Sequence, residues 1–313
     1  MGPLDRAATV HVAGHRGLVG SAVWRYLEAE GFTELVGRSS AELDLRDRAS
    51  VDAFYDEVRP DYVVLAAARV GGILANSTKP AEFLSDNLRI QVNVLDAAAR
   101  VGVRKLLFLG SSCIYPRLAP QPISEDALLT GPLEPTNDAY AIAKISGVLH
   151  VQALRREYHL PYISAMPTNL YGPGDSFDLH DSHVLPAMIR RFHEAKLSDA
   201  PSVTLWGSGT PRREMLHVDD LAVACLVLLE RYDDPAPINV GVGEDITIRE
   251  LAETVARVVG YDGTMKWDTS KPDGTPRKLL DVRRMKKLGW NCRIELEDGI
   301  AATYLWYTGA LDA

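Results

Sequence analysis

The chain has 313 residues, of which 46% are hydrophobic and 24% charged, and its formal net charge is −8. This length and composition are enough to bury the core of one large α/β domain or of two coupled domains. The acidic balance and the lack of a Lys/Arg-rich block argue against a nucleic acid or an anionic membrane as partner. Three cysteines without a C-x-x-C pair, an amino terminus without a signal-peptide pattern and no apolar run of roughly 18 residues predict a cytoplasmic protein.

Short apolar segments alternate with amphipathic ones along much of the chain. In chain order, the predicted strands are 9–13, 34–37, 62–67, 105–109, 162–166 and 238–242. The predicted helices are 21–30, 87–101, 139–159, 185–196, 217–230 and 247–259. Wholly apolar strands that alternate with helices are typical of a parallel sheet covered on both faces. The predicted fold class is therefore α/β, with a Rossmann-type doubly wound parallel sheet and a smaller C-terminal α/β substrate domain.

The composition changes after about residue 168, where Gly, Pro and Asp become frequent. We therefore predict a cofactor-binding Rossmann domain and a substrate domain. The Rossmann domain comprises 1–168 plus about 216–242, and the substrate domain about 169–215 and 243–313.

Two helix starts carry recognisable caps. Asp219 or Asp220 is the predicted cap of the helix 217–230. Thr247, with Glu250 three residues on, matches the capping box that opens the next helix.

A glycine-rich loop joins the first predicted strand to the first predicted helix. Gly14, Gly17 and Gly20 have a spacing typical of a dinucleotide-binding turn. The first glycine permits the tight turn, the second lets the backbone approach a pyrophosphate, and the third lets helix and strand pack closely. The alternative is a glycine-rich turn that binds nothing. The flanking strand and helix favour a dinucleotide site.

The residues after the second predicted strand bear on the choice between NAD and NADP. An Asp or Glu at this place binds the ribose 2′-hydroxyl of NAD, but the segment 36–40 has no carboxylate. Arg16 in the glycine loop and Arg38 after the strand could pair with a 2′-phosphate, so NADP is favoured. The alternative is that Arg38 is a solvated loop residue. Asp44 is a candidate for contacts near the adenine.

Tyr140 and Lys144 lie four residues apart near the start of a predicted helix. This spacing puts both side chains on one helix face, about 6 Å apart. An adjacent ammonium favours the phenolate, so we expect it to lower the pKa of the tyrosine. Ser111, at the carboxyl end of the strand 105–109, lies where open α/β sheets bind ligands. A chance pair on an amphipathic helix is the alternative, but the combination with Ser111 and the glycine loop indicates carbonyl reduction.

Eight motifs together resemble the extended short-chain dehydrogenase/reductase superfamily. Within it, they resemble the family of GDP-L-fucose synthases, which are GDP-4-keto-6-deoxy-D-mannose 3,5-epimerase-4-reductases. The motifs are GHRGLVG (14–20), AAARVGGILAN (66–76), LGSSCIYP (109–116), EPTNDAYAIAK (134–144), MPTNLYGPGD (166–175), WGSGTPRRE (206–214), LHVDDLA (216–222) and KPDGTPRKLLD (271–281). GSSCIYP and PDGTPRKLLD are far more discriminating than the glycine loop, and the resemblance covers nearly the whole chain.

The resemblance implies a reason for the cysteine in LGSSCIYP. Members of this family invert C3 and C5, both α to the C4 ketone, which requires a base and an acid on opposite sides of the ring. The family pattern implies Cys113 and His183 for these roles and leaves open which is the acid. Tyr140 and Ser111 would then stabilise the enolate before NADPH delivers hydride to C4. Taken alone, Cys113 would more often be a small buried residue, and His183 could merely precede a helix, with His180 as a nearby rival.

The residues and the resemblance together give the candidate site. The catalytic candidates are Ser111, Cys113, Tyr140, Lys144 and His183. The cofactor-binding candidates are Gly14, His15, Arg16, Gly17, Leu18, Val19, Gly20, Arg38, Asp44, Leu109, Gly110, Ser111, Ser112, Lys144, Pro167, Thr168, Asn169, Leu170 and His183. The substrate-binding candidates are Arg191, Trp206, Arg213 and Asp273. No ligand spacing indicates a metal.

Alternatives remain for the substrate and cofactor candidates. Arg suits bidentate contact with a diphosphate and Trp suits stacking. Arg190 and Arg191 could instead form a solvated helix face, and Trp206 could belong to a core. The family often carries Arg where this chain has Ser40, which bears on the preference for NADP.

The resemblance implies a bifunctional NADPH-dependent 3,5-epimerase and 4-reductase that converts GDP-4-keto-6-deoxy-D-mannose to GDP-L-fucose. One alternative is another NAD(P)-dependent nucleotide-sugar 4-reductase or 4-epimerase, which would not need Cys113 and His183 together. Another is a non-catalytic cofactor-binding scaffold, which the presence of Tyr140 and Lys144 disfavours. The expected partners are a small-molecule substrate and a second copy of the chain, joined through the helices that contain 87–101 and 139–159. No nucleic acid or membrane partner is expected.

Overall fold

The structure is a computed structural model that describes residues 2–178, 182–271 and 273–311. Its strands are, in chain order, β1 (Val10–Ala13), β2 (Leu35–Val36), β3 (Tyr62–Leu65), β4 (Lys105–Leu109), β5 (Ile163–Pro167), β6 (Asn169–Tyr171), β7 (Ser202–Trp206), β8 (Arg212–Arg213), β9 (Met215–His217), β10 (Ile238–Val240), β11 (Ile246–Thr247), β12 (Thr264–Asp268) and β13 (Arg277–Lys278). Its helices are α1 (Leu18–Ala29), α2 (Arg48–Val58), α3 (Ile73–Thr78), α4 (Pro80–Val101), α5 (Asp138–Tyr158), α6 (Val184–Leu197), α7 (Val218–Arg231), α8 (Ile248–Val259), α9 (Arg283–Lys287) and α10 (Leu296–Leu311). In the described ranges, no helix is both long enough and apolar enough to cross a lipid bilayer.

Six of the strands form one parallel sheet in the order β10-β5-β4-β3-β1-β2. Every neighbouring pair in this sheet runs parallel. All residues of β1 and β4 are buried, including the polar His11 and Lys105, which explains why apolar residues do not alternate with exposed polar ones in these strands. The chain starts at β1, moves outward to β2, and then crosses to β3 and continues towards the opposite edge. The predicted α/β fold with a doubly wound parallel sheet is confirmed.

Helices cover both faces of the sheet with separate apolar cores. On one face α2, α4 and α5 pack together and fully bury Val51, Val94 and Val148. On the other face, α1 and α7 pack together over a second apolar core. A third core joins α6, α8, α10 and β7 beside the sheet. The stretch from Leu280 to Trp290 packs into the two cores of the sheet rather than into the third core.

The helices differ from the predicted ones in length and number. Helix α1 begins at Leu18, three residues before the predicted start, and α4 begins at Pro80, seven residues before it. Proline is tolerated in the first turn of a helix because its missing N–H has no intrahelical acceptor there. Helix α2 was not predicted, and it begins after Asp47, whose carboxylate accepts hydrogen bonds from two N–H groups of the first turn. Helix α10 was not predicted either.

The start of α7 corrects one predicted cap and the start of α8 confirms another. Neither Asp219 nor Asp220 caps α7, because the cap is His217, whose Nδ1 accepts a hydrogen bond from the N–H of Asp219 at 3.2 Å. Asp220 is buried, and its carboxylate accepts two backbone N–H groups of the C-terminal tail. The capping box of Thr247 and Glu250 is present as predicted.

A buried lysine holds the carboxyl end of α7 against the sheet. Lys105 begins β4, and its Nζ donates to the carbonyl oxygens of Leu228 at 3.3 Å, Leu229 at 2.8 Å and Tyr232 at 2.5 Å. Carbonyl groups in the last turn of a helix lack intrahelical donors, and a cation there also complements the helix dipole. The contact therefore fixes α7 to the strand on whose far end the candidate site is built.

Candidate active site

A cavity of about 1420 Å³ opens at the carboxyl edge of the parallel sheet. Its walls include residues that follow five strands: Gly14 after β1, Arg38 after β2, Ala66 after β3, Gly110 after β4 and Thr168 after β5. Open α/β sheets bind their ligands at this edge. All the catalytic, cofactor-binding and substrate-binding candidates from the sequence line this one cavity.

The glycine loop forms the wall between β1 and α1. Gly14 has a φ of +85°, which side-chain-bearing residues avoid, and a Cβ there would lie 2.8 Å from the backbone of Ala67. A Cβ on Gly20 would lie 2.1 Å from the carbonyl oxygen of Gly14, so only glycine permits this close approach. Gly17 precedes α1, and within the described residues no side chain caps this helix. The N–H groups at the start of α1 can therefore bind an anion.

Two arginines lie at the rim beside the glycine loop. Arg16 and Arg38 are exposed and line the cavity. In the part of the chain that the structure describes, neither forms an ion pair with a carboxylate, and Glu42 instead accepts hydrogen bonds from the N–H and hydroxyl of Ser39. Asp44 differs, because its carboxylate forms an ion pair with the guanidinium of Arg46. Both arginines can therefore take a phosphate as counter-ion.

Tyr140 and Lys144 share one face of α5, as their spacing predicts, and Nζ lies 6.0 Å from the centre of the tyrosine ring. Lys144 Nζ donates to the carbonyl oxygen of Leu109 at 2.7 Å, and burial lowers the lysine pKa to about 7. Burial raises the pKa of the Tyr140 phenol, Cys113 adds to this, and a hydrogen bond with Ser111 opposes it. The expected lowering of the tyrosine pKa is thus not observed, because burial of the phenol is the largest influence on it. Tyr140 is a phenol at neutral pH, and a phenol can donate a proton.

Cys113 lies on a 3₁₀ turn directly after β4 and is half-buried at the cavity wall. The hydroxyl oxygen of Ser111 accepts a hydrogen bond from the N–H of Cys113 at 3.2 Å, which fixes the turn. The sulfur lies 3.3 Å from Nδ2 of Asn137 and 3.7 Å from Nζ of Lys278. The thiol is therefore in contact with polar groups at the cavity, which argues against an apolar core role.

His183 immediately precedes α6 and lines the cavity. Its side chain does not cap α6 within the described residues, so the imidazole has no helix-capping role there. Desolvation by the surrounding protein lowers the pKa of the imidazole from its ordinary value of 6.5, although the residue is exposed to solvent at the cavity, and this favours the neutral form at physiological pH. His180, its rival in the sequence, lies outside the described residues.

Cations and an indole lie at the other end of the cavity. The guanidinium of Arg191 is 5.8 Å from the ring centre of Trp206, which is 54% exposed and therefore not a core residue. The neighbouring Arg190 pairs with Glu194 on the solvated side of α6, so the solvent-facing alternative applies to Arg190. Arg213 is half-buried, and burial lowers the pKa of its guanidinium.

Asp273 holds the loop beneath this end of the cavity. Its carboxylate accepts hydrogen bonds from the N–H of Ser208 at 2.7 Å and from the hydroxyl of Ser208 at 2.9 Å. A Cβ on Gly207 would lie 2.3 Å from Oδ1 of Asp273, so this carboxylate packs tightly under the turn. Its contacts within the chain are therefore structural.

Sequence reasoning did not single out Asn137 and Lys278, although both line the cavity and contact Cys113. Both lie inside quoted motifs, EPTNDAYAIAK and KPDGTPRKLLD, so a signal was present. A second contact joins the same two motifs, because the hydroxyl of Thr275 donates to the carboxylate of Glu134 at 3.1 Å. The partner of Lys278 could not be predicted, since 165 positions separate it from Cys113 in the chain.

A doubly wound sheet with a glycine loop and a Ser-Tyr-Lys set at its carboxyl edge defines a nicotinamide-dependent enzyme. The sequence profile of the NAD dependent epimerase/dehydratase family matches residues 10–241, and the chain belongs to this family.

Several individual proteins are similar to this chain over nearly its full length. GDP-L-fucose synthase 1 of Arabidopsis thaliana is 57% identical over 303 residues, which cover 97% of this chain and 94% of the relative. GDP-L-fucose synthase of Escherichia coli (strain K12) is 55% identical over 307 residues, 95% of this chain and 96% of the relative. Among solved structures, a GDP-L-fucose synthetase from Naegleria fowleri bound to NADP superposes with a TM-score of 0.92 at 29% identity, covering 99% of this chain and 96% of that one.

Proposed function

We propose that this protein is a bifunctional 3,5-epimerase and 4-reductase that converts GDP-4-keto-6-deoxy-D-mannose to GDP-L-fucose with NADPH. One observation carries the proposal. The reductase set of Ser111, Tyr140 and Lys144 shares one cavity with a thiol and an imidazole, Cys113 and His183. A simple 4-reductase needs only the first set. The similarity to GDP-L-fucose synthases over nearly the full length of the chain supports the same substrate.

The glycine loop fits a dinucleotide, because Gly14 and Gly20 create a cradle that a Cβ would fill. The N–H groups at the start of α1 would hold the pyrophosphate, and Arg16 and Arg38 the 2′-phosphate, which favours NADP(H) over NAD(H). When bound, the nicotinamide supplies the hydride for C4. The wall that would face it lies after β4 and β5 and consists of Leu109, Gly110, Ser111, Ser112, Pro167, Thr168, Asn169 and Leu170.

The inversion steps use Cys113 and His183, which reach the cavity from the end of β4 and the start of α6. One of them accepts the proton of C3 or C5 while the electron pair of the broken C–H bond moves to the C4 oxygen. The other then donates a proton to the opposite face of the same carbon. Ser111 and Tyr140 donate hydrogen bonds to the enolate oxygen, which lowers the barrier as an oxyanion hole does.

The reduction step uses the phenol of Tyr140 as proton donor to the C4 oxygen. Burial raises the pKa of this phenol, so its proton is in place at neutral pH. The ammonium of Lys144, on the same helix face, stabilises the phenolate that remains.

The other end of the cavity would bind the GDP group. Arg191 and Arg213 are placed to pair with the diphosphate, because a guanidinium forms two parallel hydrogen bonds to phosphate oxygens. The exposed indole of Trp206 offers a stacking surface for guanine or for an apolar sugar face. Asp273 holds the loop that completes this wall.

The proposed division into domains follows from this arrangement of ligands. The segments 1–168 and about 216–242 would bind the cofactor, and about 169–215 and 243–313 the sugar nucleotide. The third apolar core draws its buried members from the latter segments alone. The stretch around Leu280–Trp290 belongs with the sheet by its packing.

The protein would act as a cytoplasmic homodimer. On α5, Ile142 and Leu149 are 45% and 42% exposed and lie seven residues apart, hence on one helix face. This helix packs against α4, so a second copy applied to the same face would complete a four-helix interface. The three unpaired cysteines suit a reducing compartment. Light scattering that shows a monomer at working concentration would contradict the dimer.

Product analysis tests the proposed function. The enzyme is incubated with GDP-4-keto-6-deoxy-D-mannose and either NADPH or NADH, and the sugar is identified by NMR. The expected product is GDP-L-fucose, with kcat/KM at least about tenfold higher for NADPH than for NADH, because the rim arginines pair with the 2′-phosphate. A C4-reduced sugar with uninverted C3 and C5 would instead establish a simple 4-reductase.

A further inference from the structure

Two short strands place the ammonium of Lys278 beside the sulfur of Cys113. Strands β8 and β13 run parallel, with Arg213 of one in register with Lys278 of the other. Successive residues of a strand point to opposite faces, so the first residue of each strand faces away from the second. Both second residues line the cavity.

The buried carboxylate of Asp245 fixes this register. It accepts one hydrogen bond from Nε of Arg212 at 2.7 Å and another from Nε of Arg277 at 2.5 Å. Burial raises the pKa of this carboxyl, but the hydrogen bonds from Arg277 and Arg212 outweigh burial and place the pKa below its ordinary value. Asp245 therefore remains ionised at physiological pH and holds the two strands so that the next residue of each faces the cavity.

The sulfur of Cys113 contacts two groups that carry N–H donors. Lys278 Nζ lies 3.7 Å from Sγ of Cys113, and within the described residues this ammonium forms no ion pair with a carboxylate. Asn137 Nδ2 approaches the same sulfur at 3.3 Å, while Oδ1 of Asn137 has no hydrogen-bond partner in the described part of the chain. An ammonium and an amide donor both stabilise a thiolate more than a thiol.

Three other ionisable groups belong to the surroundings of Cys113. Arg213 on β8 interacts with it as a second cation, and Tyr140 on α5 faces it as a neutral phenol. The carboxylate of Glu134 lines the same cavity but pairs with Arg117 at 3.2 Å.

We propose that Lys278 is a positioning residue for Cys113, whose ammonium holds the sulfur at the cavity and stabilises the thiolate that removes the sugar proton. This inference rests on the proposed epimerase function. In the step concerned, a C–H bond of the sugar breaks, an S–H bond forms, and the electron pair of the C–H bond moves to the C4 oxygen. The thiolate carries the negative charge before the step and the enolate carries it afterwards, so no further reactant is needed.

Alkylation by iodoacetamide across the titration range of a thiol tests the first part of the proposal. Mass spectrometry of the peptide that contains Cys113 separates it from the other cysteines. Lys278→Met removes the charge and keeps the chain length, and Lys278→Arg restores a charge. Lys278→Gln serves as a second neutral variant should the Met variant fail to fold. Lys287→Met, on the exposed side of α9, is the control for net charge.

The neutral variants should be alkylated about tenfold more slowly than the wild type at neutral pH, because the thiolate loses its nearby cation. Their half-maximal rate should move to higher pH while the maximal rate at high pH is unchanged, which separates ionisation from access. Lys278→Arg should lie near the wild type, and Lys287→Met should match it. Superimposable profiles for the wild type and the neutral variants would overturn the proposal.

Exchange of solvent deuterium into C3 and C5 of the sugar distinguishes this proposal from the proposed function. A neutral Lys278 variant should lose about tenfold or more in kcat for exchange, with KM changed by less than about twofold. A raised KM with unchanged kcat would make Lys278 a substrate-binding residue and overturn its role at Cys113. If the wild type incorporates no deuterium at C3 or C5, the proposed function and the proton-removal step are both contradicted. The alkylation profile still decides whether Lys278 stabilises the thiolate of Cys113.

Discussion

Lys144 occupies the site at a cost in stability, which Lys144→Met should reveal. Burial lowers the pKa of Lys144 from 10.5 to about 7, and its Nζ donates to the carbonyl oxygen of Leu109 at 2.7 Å. The unfolded chain binds this proton more tightly than the folded protein, so the penalty is full below about pH 7 and disappears as the pH rises towards 10.5. A buried charge retained under such a penalty is expected where function needs it.

The size of the effect follows from the two pKa values. The difference of 10.5 minus about 7 corresponds to about 5 kcal/mol at acid pH, at roughly 1.4 kcal/mol per unit. Loss of the charged hydrogen bond to Leu109 offsets about 1.5–3 kcal/mol of this. Lys144→Met should therefore raise the free energy of unfolding by about 2 kcal/mol near pH 6, and leave it nearly unchanged near pH 9.

Urea unfolding of the wild type and Lys144→Met at the two pH values measures this difference, with Lys287→Met as the control for net charge. The same variant should lose at least about 100-fold in kcat for the reduction, because the phenolate of Tyr140 has lost its neighbouring cation. A variant that is less stable than the wild type near pH 6 would refute the reasoning. So would a stabilisation that does not decrease towards pH 9.

Four further substitutions test separate parts of the site and fold. Gly20→Ala should lower the free energy of unfolding by more than about 2 kcal/mol, because its Cβ would lie 2.1 Å from the Gly14 carbonyl oxygen. Gly17→Ala should leave stability unchanged but weaken NADPH binding at least about tenfold in a fluorescence titration; equal affinity would contradict the phosphate-binding turn. Cys113→Ser should keep NADPH affinity within about twofold and lose at least about 100-fold in deuterium incorporation at C3 and C5, whereas normal turnover would remove Cys113 from the mechanism. Lys105→Met should lower the free energy of unfolding by about 2 kcal/mol in urea, because the loss of three charged hydrogen bonds outweighs relief of the burial that lowers the pKa of Lys105 to about 8; an unchanged value would show that this cap contributes nothing.

Local patterns predicted the central sheet and the glycine loop well. The strand predicted at 105–109 coincides with β4, because an apolar run between turn residues is a local signal. Helix α2 escaped prediction because it is largely polar, with only Val51, Phe54 and Tyr55 buried. Those three residues have the i, i+3, i+4 spacing of a helix face, which could have identified it.

In the candidate site, too, local patterns predicted some features, while others depend on the folded structure. The spacing of Tyr140 and Lys144 placed both on one helix face, but the direction of the tyrosine pKa depends on burial, which spacing does not show. The contact between Lys278 and Cys113 spans 165 positions and depends on the register of two strands of two residues each. Strands so short carry no periodicity of their own, so only the folded chain shows which cation meets the sulfur.

The most direct test of the epimerase-reductase account is one reaction in deuterated water. The enzyme is mixed with GDP-4-keto-6-deoxy-D-mannose and NADPH, and the deuterium content of the product is determined at each carbon by NMR. The account predicts GDP-L-fucose with deuterium at C3 and C5 and with protium from NADPH at C4. Oxidation of NADPH to a C4-reduced sugar without deuterium at C3 or C5 would contradict it, and would leave Cys113 and His183 without a role in the chemistry.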